Sequence, residues 1–326
     1  MLSYSEYSMV VNSSIFNSDS MYESLKIFKF VVFIILGLLI VDFCIGKSAI
    51  WLMERLPDHG GEICEVNYAI NRARPEFLIL GSSRANHHYN SRMIADKTHR
   101  TVYNAGIDGT NLLYARYVLQ RIVKRAVPDI VILELNVGCL FDGNTVDIKH
   151  CRLHTGADSM LRDVMQAAGL AQCISINSYR YNSSFLNIVF NVCRPEKGHM
   201  ILDGFRPLTD TNLYGNSEWE YRKIEGTLQM DTVDELVKIL DIAHEYGFEL
   251  IVTSSPVRYL YNTDNQSSVK IRQLCADAGV TFLDNSQLPF FIQHDEYLRD
   301  INHLTGTGAN VYTAYFLNQL DSLNIN

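Results

Sequence analysis

The chain has 326 residues, 47% of them hydrophobic and 20% charged, and 36 Asp and Glu against 28 Lys and Arg give a formal net charge of −8. That length supports a packed core in one large domain or two small ones, and the hydrophobic share excludes wholesale disorder and a multi-span membrane protein. An acidic balance without a long Lys/Arg run excludes nucleic acid as the main ligand, because phosphate binding needs a basic face.

Residues 1–26 are rich in Ser, Asn and Tyr without a helical stripe, and are expected to form a flexible tail. Phe30 to Val41 then gives twelve residues without a polar side chain, and extension to Ile27–Ile45 gives nineteen. A bilayer span takes about 20, so residues 27–46 are expected to be a membrane anchor, with Lys29 snorkelling to the headgroups and Trp51 at the interface. A buried core helix and a cleaved signal peptide are the alternatives. Against cleavage stand the long preceding segment and the poor site at Gly46-Lys47-Ser48-Ala49. Lys26 and Lys29 precede the span while Lys47 and Arg55 follow it, so the positive-inside count is tied. An exported C-terminal domain is expected because a single early apolar segment usually acts as an export signal. Cys44 follows Val41-Asp42-Phe43, which is no lipobox, so no lipoprotein is expected.

Residues 47–75, with Pro57 and Gly60-Gly61, read as a polar connector to a domain at 76–326. Five short β-rich runs follow: Phe77–Leu80, Thr101–Tyr103, Ile130–Leu135, Phe248–Thr253 and Val280–Leu283. Most are nearly continuous in apolar character, as strands buried on both faces are. Helical spacing recurs between them at Asn111–Ala126, Thr232–Tyr246 and Ser268–Ala278, with Gly247 and Gly279 where helix C-terminal glycines belong. The alternation predicts an α/β fold with a doubly wound, parallel, five-stranded sheet. A mostly helical insertion is expected over about 140–230, including Ala157–Ala171 and the aromatic Tyr179 and Tyr181.

The seven cysteines, Cys44, Cys64, Cys139, Cys151, Cys173, Cys193 and Cys275, form no C-x-x-C pair. Disulfides and buried free thiols both stay open on this spacing. His150, Cys151 and His154 resemble half of a zinc site, but no second half follows, and no metal is expected.

Gly81-Ser82-Ser83-Arg84 follows the first strand directly and opens a helix, at the strand end where open parallel sheets bind ligands. A serine there is either a helix N-cap or a nucleophile beside backbone N–H groups. Asp300 and His303 tip that choice. A serine hydroxyl attacks well only when a base removes its proton, and the base needs a carboxylate to fix its tautomer. His87 and His88 could line the same cleft or face solvent; Asp284 reads as a structural cap, and Arg206 as a candidate contact for an anionic substrate.

On these residues the sequence resembles the SGNH/GDSL hydrolase superfamily from Phe77 onward. Gly81-Ser82-Ser83 is similar to its first block, Tyr103-Asn104 through Gly109 to its second, and Asp300 with His303 to its last. The third block departs: Asn136-Val137-Gly138 stands where Gly-x-Asn-Asp is the pattern. The resemblance implies a flavodoxin-like SGNH fold and a catalytic triad of Ser83, His303 and Asp300. It implies an oxyanion hole from Ser83, Gly109 and Asn136, with no metal or organic cofactor. The Gly-Ser-Ser-Arg variant resembles membrane-anchored proteins of the bacterial envelope. The expected function is therefore a serine esterase acting on an O-acylated glycan or another envelope ester. The alternatives are an acyltransferase, or a non-catalytic assembly component beside a membrane acyltransferase partner.

Overall fold

A computed structural model of the chain describes residues 18–58, 60–142, 147–155, 158–167, 170–194, 203–213 and 218–325. In chain order it begins with helix α1 (Ser18–Met53), helix α2 (Glu62–Asn71), strand β1 (Phe77–Leu80) and helices α3 (Ser83–His88) and α4 (Ser91–Thr98). Strand β2 (Val102–Asn104), helix α5 (Leu112–Val123) and strand β3 (Ile130–Glu134) follow. Next come α6 (Ser159–Ala167), α7 (Ala171–Ser175), α8 (Asn177–Arg180), α9 (Phe185–Cys193) and strand β4 (Glu220–Arg222). The chain continues with α10 (Met230–Tyr246), β5 (Glu249–Ser254), β6 (Tyr259–Tyr261), α11 (Gln266–Asp277), β7 (Thr281–Asp284), α12 (Pro289–Gln293) and α13 (Gly306–Ser322).

Five of these strands form a parallel sheet in the order β2-β1-β3-β5-β7. Every residue of β1 and β3 is buried, as their unbroken apolar runs require. Alternate side chains serve opposite faces. Leu78, Leu80, Val131, Leu133 and Val252 join one core with residues of α2, α5, α10 and α11. Phe77, Ile79, Ile130, Ile132 and Ile251 join another with Ala85, Ile94, Tyr312 and Phe316 of α3, α4 and α13. Helices thus cover both faces, and each fully buried aliphatic side chain stabilises by about 1.5–3 kcal/mol relative to exposure.

Local chemistry sets the helix ends. Asn111 accepts N–H bonds from Leu113 and Tyr114 to start α5, and Asn265 accepts from Ser268 to start α11. Gly247 closes α10 in the left-handed conformation, as the sequence predicts.

Helix α1 runs 36 residues. Its apolar window has mean hydropathy 2.7 and is 0% buried, which sets aside a core helix and leaves a membrane anchor or signal sequence. The expected flexible tail is corrected in part: residues 18–26 are the first turns of this helix, and residues 1–17 lie outside those described. Helix growth from an established apolar segment adds one hydrogen bond per residue fixed, so the helix continues through polar sequence; a Glu23–Lys26 pair at 2.8 Å supports those turns.

The connector is also more structured than its composition suggests. Residues 47–53 remain in α1, and α2 buries Val66, Ala69 and Ile70 in the core. Glu65 and Asn67 are buried beside them, which hides the apolar stripe. In the insertion, α6 to α9 agree with the helical expectation, while residues 143–146, 156–157, 168–169, 195–202 and 214–217 lie outside those described. Strand β4 differs from that expectation, pairing in parallel with β6 as a small second sheet.

The insertion packs on the end of α1. Ala49, Met53 and Leu56 cluster with Cys64, Leu153, Tyr181 and Ile188. Asp42 accepts bonds from the backbone N–H and side chain of both Asn177 (3.1 and 3.1 Å) and Ser178 (2.7 and 2.7 Å). All seven cysteines are free thiols, four of them buried.

Candidate functional site

The turn after β1 is shaped by a close approach. A Cβ on Gly81 would come within 2.6 Å of the Glu134 carbonyl oxygen and 2.9 Å of Ala85 Cβ, and the residue has φ +146°. Only glycine fits there without strain. The chain turns at once into α3, whose first residue is Ser83. Ser82 occupies the N-cap position, but its side chain makes no capping bond.

Ser83 meets a loop from the far end of the chain. Leu298 and Leu304 form an antiparallel bridge and are fully buried, pinning both ends of that loop. Within it, Asp300 Oδ1 accepts the N–H groups of Asn302 (2.9 Å) and His303 (3.0 Å). A three-residue separation lets the same carboxylate reach the His303 ring, with Nδ1 at 2.9 and 3.0 Å from its two oxygens. His303 Nε2 lies 2.8 Å from Ser83 Oγ. A carboxylate only accepts, so Nδ1 carries the proton and donates to Asp300, while Nε2 accepts from the Ser83 hydroxyl. Partial burial would raise the Asp300 pKa, but the bonds from the His303 ring and the two N–H groups outweigh it and hold the carboxyl below its ordinary value. The geometry therefore places a hydroxyl proton against a basic nitrogen backed by an anion.

His88 is fully buried and belongs to the scaffold. Its Nε2 accepts the Leu304 N–H at 3.0 Å, so Nδ1 donates to Ser255 Oγ at 2.7 Å. Burial and the neighbouring Arg84 and histidines hold its pKa well below the ordinary value, which keeps this ring neutral. It thereby fixes the residue next to His303.

His87 stands edge-on to His303, with centroids 5.6 Å apart. Its Nδ1 is 2.7 Å from the Arg206 carbonyl oxygen and its Nε2 is 3.1 Å from Asp108 Oδ2. Burial raises the Asp108 pKa, but hydrogen bonds from His87 and Asn86 prevail and hold it at about 2. The Arg206 guanidinium is paired with buried Glu65 at 2.6 Å, so its charge is already matched within the domain. Asp284 accepts bonds from the Ser286 N–H and hydroxyl and shapes a turn, as expected.

Arg84, next to Ser83, is buried although the sequence gives it no site role. It is 2% exposed and pairs with Glu134, 0% exposed, at 3.1 Å. The same Nε donates to Asn136 Oδ1 at 3.0 Å, and the other nitrogens reach the carbonyl oxygens of Ser255 and Leu135. Glu134 also accepts from the Ser255 N–H (3.0 Å), the Ser255 hydroxyl (2.8 Å) and the Tyr89 hydroxyl (2.5 Å). Burial raises the Glu134 pKa, and Arg84 with these donors opposes the shift. A buried charge is tolerated only when paired and fully bonded, and this one is. The available signal was Glu134 itself, an acid ending an otherwise apolar strand and requiring a cation nearby.

With Oδ1 of Asn136 held by Arg84, the Nδ2 end of its amide is the one left for the cleft. Gly109 has φ +68° on the loop between β2 and α5, flanked by Asp108 and by Thr110, whose hydroxyl reaches the Gly81 carbonyl at 3.3 Å. A cavity of about 390 Å³ opens beside this turn, lined by Ser82, Asn111 and Asn136 and by the apolar Leu112, Leu135 and Phe141. Ser83, His303 and Asp300 are thus brought into direct contact, while Asn136 and the residues around Gly109 frame the adjoining cleft.

Cys151 and His154, of the zinc-like half-site, are separate from this cleft; burial raises the Cys151 pKa and lowers that of His154 to about 4. The His150 side chain lies outside those described. Among the described residues, no three His, Cys, Asp or Glu side chains group as metal ligands would. No family model matches the chain, and no curated protein matches it either.

Proposed function

We propose that this chain is a serine esterase or acyltransferase of the SGNH/GDSL type, held at a membrane by its N-terminal helix. The observation that carries the reading is the 2.8 Å contact of Ser83 Oγ with His303 Nε2, with Asp300 bonded behind the ring. The strand order β2-β1-β3-β5-β7 supports a flavodoxin-like arrangement, in which ligands sit at the carboxyl ends of the strands.

In this mechanism Ser83 Oγ attacks the acyl carbon as His303 Nε2 takes its proton, and Asp300 stabilises the imidazolium that forms. The tetrahedral oxyanion accepts from the N–H groups of Ser83 and Gly109 and from Nδ2 of Asn136. Collapse breaks the ester bond, and His303 returns the proton to the departing alkoxide. The acyl-Ser83 intermediate then passes to water, giving hydrolysis, or to an acceptor hydroxyl, giving transfer. An O-acylated glycan or another envelope ester is the substrate class proposed, with the domain outside the cytoplasm.

Fluorophosphonate labelling and turnover of a chromogenic acetyl ester test the reading. Wild-type protein is expected to label and turn over, and Ser83→Ala to do neither. Equal labelling of the two would remove Ser83 from the nucleophile role. The departure at Asn136-Val137-Gly138 favours a second reading, an assembly component beside a membrane acyltransferase. An unlabelled wild type that co-purifies with such a partner would select it.

A further inference from the structure

Helices α8 and α9 leave large apolar side chains in the open. Ile176 before α8, Tyr179 in α8, and Leu186 and Phe190 one turn apart in α9 are 45%, 49%, 79% and 52% exposed. Scattered apolar residues need no explanation, but these sit on elements packed directly against α1. Asp42 ties the start of α8 to α1 through Asn177 and Ser178. With a rise of about 1.5 Å per residue, Asp42 lies about 5 Å inside the end of the Ile27–Ile45 apolar span. The start of α8 is therefore held at the depth where hydrocarbon gives way to headgroups. Arg194 ends the segment with its guanidinium 5.7 Å from the Phe190 ring, an arrangement that suits a side chain reaching lipid phosphate.

We propose that this face of α8 and α9 rests in the surface of the bilayer that holds α1, making the insertion a second point of membrane contact. The proposal rests on the reading of α1 as a membrane anchor. Its occupant is lipid, because the helices that carry these side chains pack on a helix whose own apolar window is unburied. Two contacts fix the tilt of the sheet domain, which a single tether leaves free.

The test uses the full chain in phosphatidylcholine–phosphatidylglycerol vesicles. Trp51 and Trp219 are replaced by Phe, and one reporter is introduced at a time: Leu36→Trp in the anchor, Phe190→Trp or Tyr179→Trp in the insertion. An apolar face seated about 5–10 Å deep lies among upper acyl carbons, so emission from positions 190 and 179 is expected to fall to roughly half or less in lipid brominated there, and emission from position 36, midway along the span, to fall likewise in lipid brominated near the acyl chain ends. Quenching at 36 without quenching at 190 and 179 overturns the proposal and leaves the anchor standing. No quenching at 36 overturns the anchor reading, and the proposal with it. Shielding of position 190 that rises with protein concentration, without bromine quenching, assigns the face to a second copy and also overturns it. The exposed insertion positions tolerate Trp, and the two reporters check each other.

Discussion

At the carboxyl end of the sheet, Arg84 meets Glu134 with both nearly inaccessible, His88 is bonded at both nitrogens, and Asp300 holds His303 against Ser83. At the base of α1 the contacts differ in kind: Asp42 and a small apolar cluster join the insertion to the helix, while side chains such as Leu186 stand 79% exposed. In the first region Arg84, Glu134 and His88 are each bonded to several internal partners, all of which must be in place at once. The second has a small apolar cluster of its own and leaves further apolar surface outward. The chemistry proposed for Ser83 needs the first region, because only over-determined side chains hold positions to sub-ångström precision.

The sharpest way to break this comparison is at the nucleophile. Ser83→Ala or His303→Ala is expected to reduce kcat for an acetyl ester about 10⁴-fold or more, whereas Leu186→Ser should leave turnover of a soluble ester unchanged. Steady-state kinetics with a folded-state check by circular dichroism decides it; equal losses would dissolve the distinction. Next is the Arg84–Asn136 contact. Asn136→Ala is expected to cost about 10²–10³-fold in kcat, as removal of an oxyanion donor does. Arg84→Lys keeps the charge but loses the guanidinium fork, and is expected to lower kcat while sparing KM.

A stability contrast sharpens the same point. Ile132→Ala, in the buried centre of β3, is expected to destabilise the domain by about 2–5 kcal/mol in urea unfolding. Ile34→Ala, in the exposed run of α1, should leave that midpoint in place. The smallest effect concerns pH. Asp108 is held at about 2 against an ordinary 3.8, so its contribution to stability is present above 3.8 and lost as pH falls through about 2. Wild type is therefore expected to exceed Asp108→Asn in denaturation midpoint at pH 6, the difference shrinking below pH 4 and vanishing near pH 2. Solvent exposure keeps that difference small, and a difference growing with acid would reverse the assignment.

Strands β1, β3 and β5 are legible because burial on both faces leaves a nearly uninterrupted apolar record in the sequence, as Phe77–Leu80 illustrates. Strand β4 is not, since Glu220-Tyr221-Arg222 is largely exposed and carries no such record. Helix α2 escapes notice because buried Glu65 and Asn67 interrupt its apolar stripe. The pairing of His303 with Asp300 is anticipated by residue type and spacing, since a carboxylate three residues from a histidine can fold back onto the ring, whereas the choice of Ser83 rests on the family resemblance. The burial of Arg84 is not legible in the same way, because it depends on Glu134, which is distant in sequence and adjacent in space. Pairings of that kind are properties of the folded sheet.

The 220-residue separation between Ser83 and His303 bears on when the site exists at all. A chain emerges N-terminus first, so α1 and Ser83 are made long before residue 303 and the helix that packs Tyr312 and Phe316 onto the sheet. During synthesis the Ser83 hydroxyl has no His303 nitrogen to accept its proton. On the proposed function, a nascent chain held at a membrane by α1 is therefore expected to be inert towards esters. A chain truncated before residue 303 is likewise expected to fail fluorophosphonate labelling, so that labelling would report that the chain has been made through that loop.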